Sequence, residues 1–95
     1  MTEVKIYGPL GFDLDKSKFN SYLTVKLDSG DNTLADVIDQ LTARYGVKVK
    51  EELLDADGNL DYAYGIFSEG ERVPGLSAQV EDDAELIIVV MLGGG

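Results

Sequence analysis

This 95-residue chain contains no cysteine and no histidine. It therefore offers no thiolate nucleophile, no imidazole base, no Ser-His dyad and no ordinary zinc ligand set. Carboxylates, lysines and tyrosines remain, and so does one reactive group outside the side chains. The sequence ends Gly93-Gly94-Gly95. At an average glycine usage of about 7%, a terminal pair alone arises by chance in roughly one chain in 200. A frayed end or a cloning scar would be the bland explanation. Against it, the glycines directly follow an apolar run of strand length, residues 86–92. A flexible tail launched from a rigid strand can reach into a partner's narrow channel. Without Cβ atoms its backbone takes conformations closed to other residues, and nothing shields the carboxylate of Gly95. Such a tail is what a chain needs if its own C-terminal carboxyl is the reacting group, with Gly93 and Gly94 as the segment a partner grips.

Other clusters reduce to turns. Aligning Asp55-Ala56-Asp57-Gly58-Asn59-Leu60-Asp61 on the glycine of an EF-hand loop puts Leu53 and Tyr64 where the terminal calcium ligands belong. The spacing fails, and no metal site is expected. Glu81, Asp82, Asp83 and Glu85 have only Ala84 between them, too little to raise a carboxylate pKa, and consecutive acids fan outward into a solvated turn. Gly8-Pro9-Leu10-Gly11 lacks the lysine and glycine spacing of a phosphate loop. Tyr62 and Tyr64 share one side of an expected strand, either as core or as interface.

The elements that must hold the tail follow from apolar periodicity. Val4 and Ile6 alternate with Glu3, Lys5 and Tyr7 in a first strand. Leu23, Val25 and Leu27 alternate with Tyr22, Thr24 and Lys26 in a second, and residues 8–21 between them read as a long polar hairpin loop. Thr33 is a good N-cap, with Asp36 near the positive end of the helix that follows. Leu34, Val37, Ile38, Leu41 and Tyr45 form its apolar stripe, and Gly46 ends it. Residues 48–54 admit a short second helix, and Asp57-Gly58 marks a turn. Residues 62–67 read as a strand turning at 68–71 into a return strand at Arg72-Val73. Residues 85–92 are the last strand.

The order ββαββ implies one α+β domain over residues 1–95. Its sheet is mixed, one main helix packs on one face, and the first and last strands are parallel neighbours. The last strand is apolar on both sides, with Leu86, Ile88 and Val90 on one and Ile87, Val89 and Met91 on the other. One helix covers one face. The second row, together with Leu92 at the strand's end, is therefore expected to meet a partner unless the inserted segments fold over it.

Hydrophobic residues make up 44% of the chain, enough for one core. No apolar run approaches the roughly 20 residues of a membrane span, and the start lacks the pattern of a secretion signal. A soluble cytoplasmic protein is the expectation. The net charge of −10 is one-sided. Residues 1–50 carry seven acids and seven bases, whereas residues 51–95 carry eleven acids and only Arg72. Such a surface repels nucleic acid and anionic membranes, and it is steered toward a basic partner surface. Solubility or adaptation to salt would explain the same charge.

Several stretches share a pattern with a known group. Val4-Lys5-Ile6-Tyr7 is similar to its first strand, and Asn32-Thr33-Leu34-Ala35-Asp36-Val37-Ile38 to its helix start. Ile66-Phe67-Ser68-Glu69-Gly70-Glu71-Arg72-Val73 is similar to its strand–turn–strand, often written with an Asn-Gly turn. Val80-Glu81-Asp82-Asp83-Ala84-Glu85-Leu86 is similar to the charged turn before its last strand, and Gly94-Gly95 to its terminal diglycine. Over its full length the chain resembles the molybdopterin-synthase small subunits and thiamin sulfur carriers of the ubiquitin-like β-grasp superfamily. Two departures leave the pathway open. Val90-Met91 stands where many molybdopterin-type members carry Pro-Pro, and Gly93 stands where Ser or Ala is common.

The resemblance implies a ubiquitin-like β-grasp fold and a sulfur-carrier role in cofactor or thionucleoside formation. An ATP-dependent activating enzyme would adenylate Gly95, and persulfide sulfur would displace AMP to leave a C-terminal thiocarboxylate. An accepting enzyme, such as a molybdopterin-synthase large subunit or a thiazole synthase, would take the sulfur. No bound cofactor is implied, because ATP and the catalytic groups belong to the partners. The chain would be a co-substrate, not an enzyme by itself. Two alternatives stand beside this: conjugation of Gly95 to target lysines, and a plain interaction module with incidental glycines.

The charge reading can be tested separately. Charge reversal at Glu81, Asp82 and Asp83 should slow association with an activating enzyme at low salt, with far less effect at high salt. Stopped-flow rates unchanged at low salt would reduce the asymmetry to solubility.

Overall fold

The computed structural model describes residues 2–15, 22–27, 32–81 and 83–91. In chain order its elements are β1 (Thr2–Tyr7), α1 (Pro9–Leu14), β2 (Tyr22–Leu27), β3 (Asn32–Thr33) and α2 (Leu34–Tyr45). They continue with α3 (Lys48–Leu53), β4 (Tyr64–Ser68), β5 (Glu71–Arg72), β6 (Gln79–Val80) and β7 (Glu85–Val90). No helix among the described residues is long and apolar enough to cross a membrane.

The last strand occupies the middle of the main sheet, whose order is β2-β1-β7-β4-β5. It runs parallel to β1, with Val4 beside Leu86 and Ile6 beside Ile88, as expected for the first and last strands. It runs antiparallel to β4, with Ile66 beside Ile88. The period-two alternation then turns Val4, Ile6, Val25, Ile66, Leu86 and Ile88 to one face, where each is at most 2% exposed. Helix α2 lays Leu34, Val37, Ile38 and Leu41 on that face. Each such side chain stabilises the fold by about 1.5–3 kcal/mol relative to leaving it in water.

The start of α2 is tied down more completely than a lone cap would allow. Thr33 Oγ1 accepts from the Asp36 N–H, and Asp36 Oδ2 accepts from the Thr33 N–H, closing a capping box. Two further N–H groups that a helix leaves unpaired, those of Leu34 and Ala35, donate to the carbonyls of Ala78 and Leu76 at 2.9 and 3.0 Å. Strand β3 also pairs with β6. The helix start thus fixes the segment that leads into β7.

Several expectations need correction. Residues 8–21 are not one polar loop. Pro9–Leu14 is a short helix, opened by Pro in its first turn, with Leu10 buried in the core and Leu14 packed against it. Residues 16–21 lie outside the described residues. Residues 48–54 do form a helix over Lys48–Leu53, which buries Val49 and Leu53 one turn apart. The strand placed at 62–67 is Tyr64–Ser68, because Asp61 turns the chain first: its side chain accepts from the Ala63 N–H, and its carbonyl accepts from the Tyr64 N–H. Tyr62 therefore does not share a strand face with Tyr64 and is 76% exposed. The return strand is Glu71–Arg72, and the last strand ends at Val90.

The β4–β5 hairpin turns through Glu69 and Gly70, both at positive φ (55° and 83°). A two-residue turn of this hand favours Asn-Gly, and Glu is strained there. Glu69→Asn should raise stability by about 0.5–1 kcal/mol in urea denaturation. A lower midpoint would mean that the Glu69 side chain holds the turn by some other contact.

Candidate functional site

Alternation that buries Leu86 and Ile88 forces Ile87 and Val89 to the opposite face. The strand registers gather their neighbours there: Lys5 and Tyr7 from β1, Thr24 and Tyr22 from β2, Gly65 and Phe67 from β4, and Arg72 from β5. The three described helices all contribute to the one core on the other side, through Leu10, the α2 stripe, and Val49 with Leu53. None of these helices covers Ile87 and Val89, which are half-buried. Met91, just past the strand, is 45% exposed. The expected apolar row is thus present as a continuous outer patch of Ile87, Val89, Phe67 and Met91.

One side of the patch is polar and aromatic. Lys5 Nζ lies 3.4 Å from a Glu85 carboxylate oxygen and 5.5 Å from the centroid of the Tyr22 ring. The hydrogen bond and charge of Glu85 raise the Lys5 pKa above the ordinary lysine value. Tyr22 stacks on Tyr7 with ring centroids 4.7 Å apart. Arg72, alone among the bases of the second half, is exposed on the other side.

The exit from β7 is held on both flanks. The Met91 N–H donates to the Ala63 carbonyl at 2.7 Å, and the Val90 side chain lies beside Gly8. Leu92, Gly93, Gly94 and Gly95 lie outside the described residues, as does Asp82. Glu81 and Asp83 are exposed in the turn before β7, which is pinned to the start of β1: the Glu3 N–H donates to Ala84 O, and Thr2 Oγ1 donates to Glu81 O. A strand of six residues separates this turn from Met91, roughly 20 Å at the rise of a β-strand. The structure brings Ile87, Val89 and Met91 together but keeps the acidic turn at the other end of β7. Sequence reasoning missed Phe67, Lys5 and the tyrosine stack, although strict alternation of β1 and β4 with β7 was a signal that could have found them.

The acidic run near Gly58 is a turn. Asp55 Oδ1 accepts from the N–H groups of Asp57 and Asn59, so that carboxylate is engaged by backbone. Among the described residues no group of three acids could hold a metal ion. Two cavities share Arg72, Val73 and Pro74 in their walls, and each holds about 260 Å³. Both fall below the roughly 300–1,000 Å³ of small-molecule pockets.

No protein-family profile matches the sequence, and no curated protein matches it either. Solved structures do. SAMP1 from Haloferax volcanii is 23% identical, with a TM-score of 0.69 over 99% of this chain and 98% of that one. CysO from Mycobacterium tuberculosis, described as an antigen, is 27% identical, with a TM-score of 0.67 over 92% of this chain and 97% of that one. The chain has a ubiquitin-like β-grasp fold. The Amycolatopsis orientalis BexX/CysO complex adds a third β-grasp likeness, 23% identical, with a TM-score of 0.64 over 97% of this chain and 99% of that one. These neighbours support the resemblance to the ubiquitin-like sulfur carriers. The described helices pack on one face of this sheet, and among the described residues none covers the other.

The two faces of β7 make a direct contrast. Ile88→Ala, on the helix face, should cost about 2–5 kcal/mol in urea denaturation. Ile87→Ala, on the outer face, should cost about 1 kcal/mol. Equal costs would mean that the outer face is covered.

Proposed function

We propose that this β-grasp chain is a sulfur carrier whose reacting group is the carboxylate of Gly95. The observation that carries the reading is the exit of the chain from a central strand, held on both flanks, four residues before Gly95. A rigid base with a glycine lead suits delivery of a carboxylate into an enclosed site. The outer patch of Ile87, Val89, Phe67 and Met91 would dock on the partner beside that site, and Leu92 is a further expected contact. Gly93 and Gly94 would run through the channel. The charges of Glu81, Asp82 and Asp83 would guide approach and take no part in the reaction; Glu81 and Asp83 stand far from the exit.

The chemistry follows from acyl activation. A Gly95 carboxylate oxygen attacks the α-phosphorus of ATP on an activating enzyme, and pyrophosphate leaves. The mixed anhydride has AMP as leaving group, far better than oxide. A persulfide attacks the acyl carbon and AMP departs, so a C–S bond replaces the C–O bond. A thiol then cleaves the S–S bond, leaving the thiocarboxylate on Gly95. An accepting enzyme takes the sulfur into a cofactor or thionucleoside, and water attacks the acyl carbon as the C–S bond breaks, which returns the carboxylate. ATP and the catalytic acids and bases sit on the partners, and this chain supplies the acyl group and the docking face. One neighbour was crystallised in a complex, BexX/CysO, which supports a partner-dependent role.

Deleting Gly95, or extending the chain past it, should abolish sulfur loading while leaving the melting temperature unchanged, because chain ends contribute little to the core. Gly94→Ala should also melt like wild type yet load more slowly, because a methyl group restricts the backbone in a narrow channel. Melting and thiocarboxylate yield measured on the same samples decide the matter. A Gly95 deletion that carries sulfur as well as wild type would refute the role.

A further inference from the structure

Beyond the last strand, the Met91 side chain folds back over β4. A Cβ built on Gly65 would lie 2.6 Å from Met91 Sδ, 2.8 Å from its Cγ and 2.8 Å from Phe67 Cε1, too close for any real side chain. Gly65 is itself buried, so Met91 and Phe67 fill the space that its missing side chain leaves. The Met91 N–H also bonds to the Ala63 carbonyl, one step past the Tyr64–Val90 pair at the end of the strand. Glycine inside a strand weakens it through backbone entropy, and such a glycine often marks a close approach. Here β4 lies directly against the central strand, and the group that approaches is Met91. Its unbranched thioether is suited to lie flat beside an aromatic ring.

We infer that Gly65 is a positioning residue for the tail. By leaving room for Met91 to lie against Phe67, it clamps the chain one residue past β7 and sets the point from which residues 92–95 depart. The effect on sulfur loading rests on the carrier reading above; the clamp does not. Without it, fraying of Val90 and Met91 would move the last residue held by described backbone bonds from four to six positions before Gly95. The chance of finding Gly95 at a fixed reactive point falls with about the 3/2 power of that length, roughly twofold. Release of Met91 would also break the outer patch at its edge nearest the tail.

The test is a double-mutant cycle read by hydrogen exchange and by sulfur loading. Gly65→Ala pushes Met91 off its seat. Because Met91 is 45% exposed, its side chain can swing into solvent without disturbing the core. Met91→Ala empties the same seat from the other side and keeps the test decisive if Gly65→Ala folds poorly. Each variant should speed amide exchange at position 91 several-fold, while Ile6 and Ile88 keep wild-type protection. Each should lower loading about twofold at limiting carrier. Adding Gly65→Ala to Met91→Ala should change both readouts little, since only the Phe67 ring then stands in the way. Met91 exchange that is equal in wild type and Gly65→Ala, or effects that add in full, would overturn the clamp. Exchange is measured on the protein alone, so failure of wild type to load sulfur would count against the carrier role and leave the clamp to be judged on exchange.

Discussion

The parallel pairing of β1 with β7 is the constraint from which the rest of the architecture follows. It draws the last strand between β1 and β4, so the chain leaves from the middle of the sheet. A central strand has no free edge and is buried on its helix face, which makes it the stiffest base the fold can give to a departing segment. Parallel neighbours also require a long crossover. The chain uses that crossover for α2 and α3, for β4 to β6, and for the bonds that tie the start of α2 to residues 76 and 78. The core and the exit point are consequences of one pairing.

That pairing also divides the surface. Alternation along β7 sends Leu86 and Ile88 to the helices and Ile87 and Val89 to the outer face, where they are half-buried. The outer patch is therefore an unavoidable by-product of an apolar central strand with helices on one side only. Lys5, Glu85 and the Tyr7–Tyr22 stack border it on one side, and Arg72 on the other. Turn charges at Glu81 and Asp83 stand at the far end of the same strand. On the proposed reading, guidance at one end and chemistry at the other would suit a carrier that must approach, dock and insert.

Much of this was legible in the sequence, because strong periodicity and capping agree in the main elements. Thr33, Asp36 and Gly46 marked the ends of α2, and the Leu34–Tyr45 stripe marked its buried side. What escaped depends on close approach between distant residues. Pro9–Leu14 reads as a loop because Gly11 is a poor helix former. Yet a Cβ on Gly11 would collide with the Ile6 carbonyl, so only glycine lets α1 lie against β1. The two-residue strands β3 and β6 are too short for any periodicity. Tyr62 was drawn into a strand that Asp61 interrupts by bonding to the Ala63 N–H. Gly65 looked like an ordinary strand residue, and only the space taken by Met91 gives it a role. The acyl-donor reading came from the glycines of residues 93–95, which lie outside the described residues, and it stands on chemistry together with the exit geometry.

The intact mass of the chain after incubation with ATP, a sulfur source and host extract tests the carrier role most directly. A sulfur carrier should appear with one oxygen replaced by sulfur, and fragmentation should locate the change at Gly95. A chain whose mass stays unchanged beside an authentic carrier that is loaded in the same mixture, or whose sulfur sits anywhere but Gly95, would contradict it.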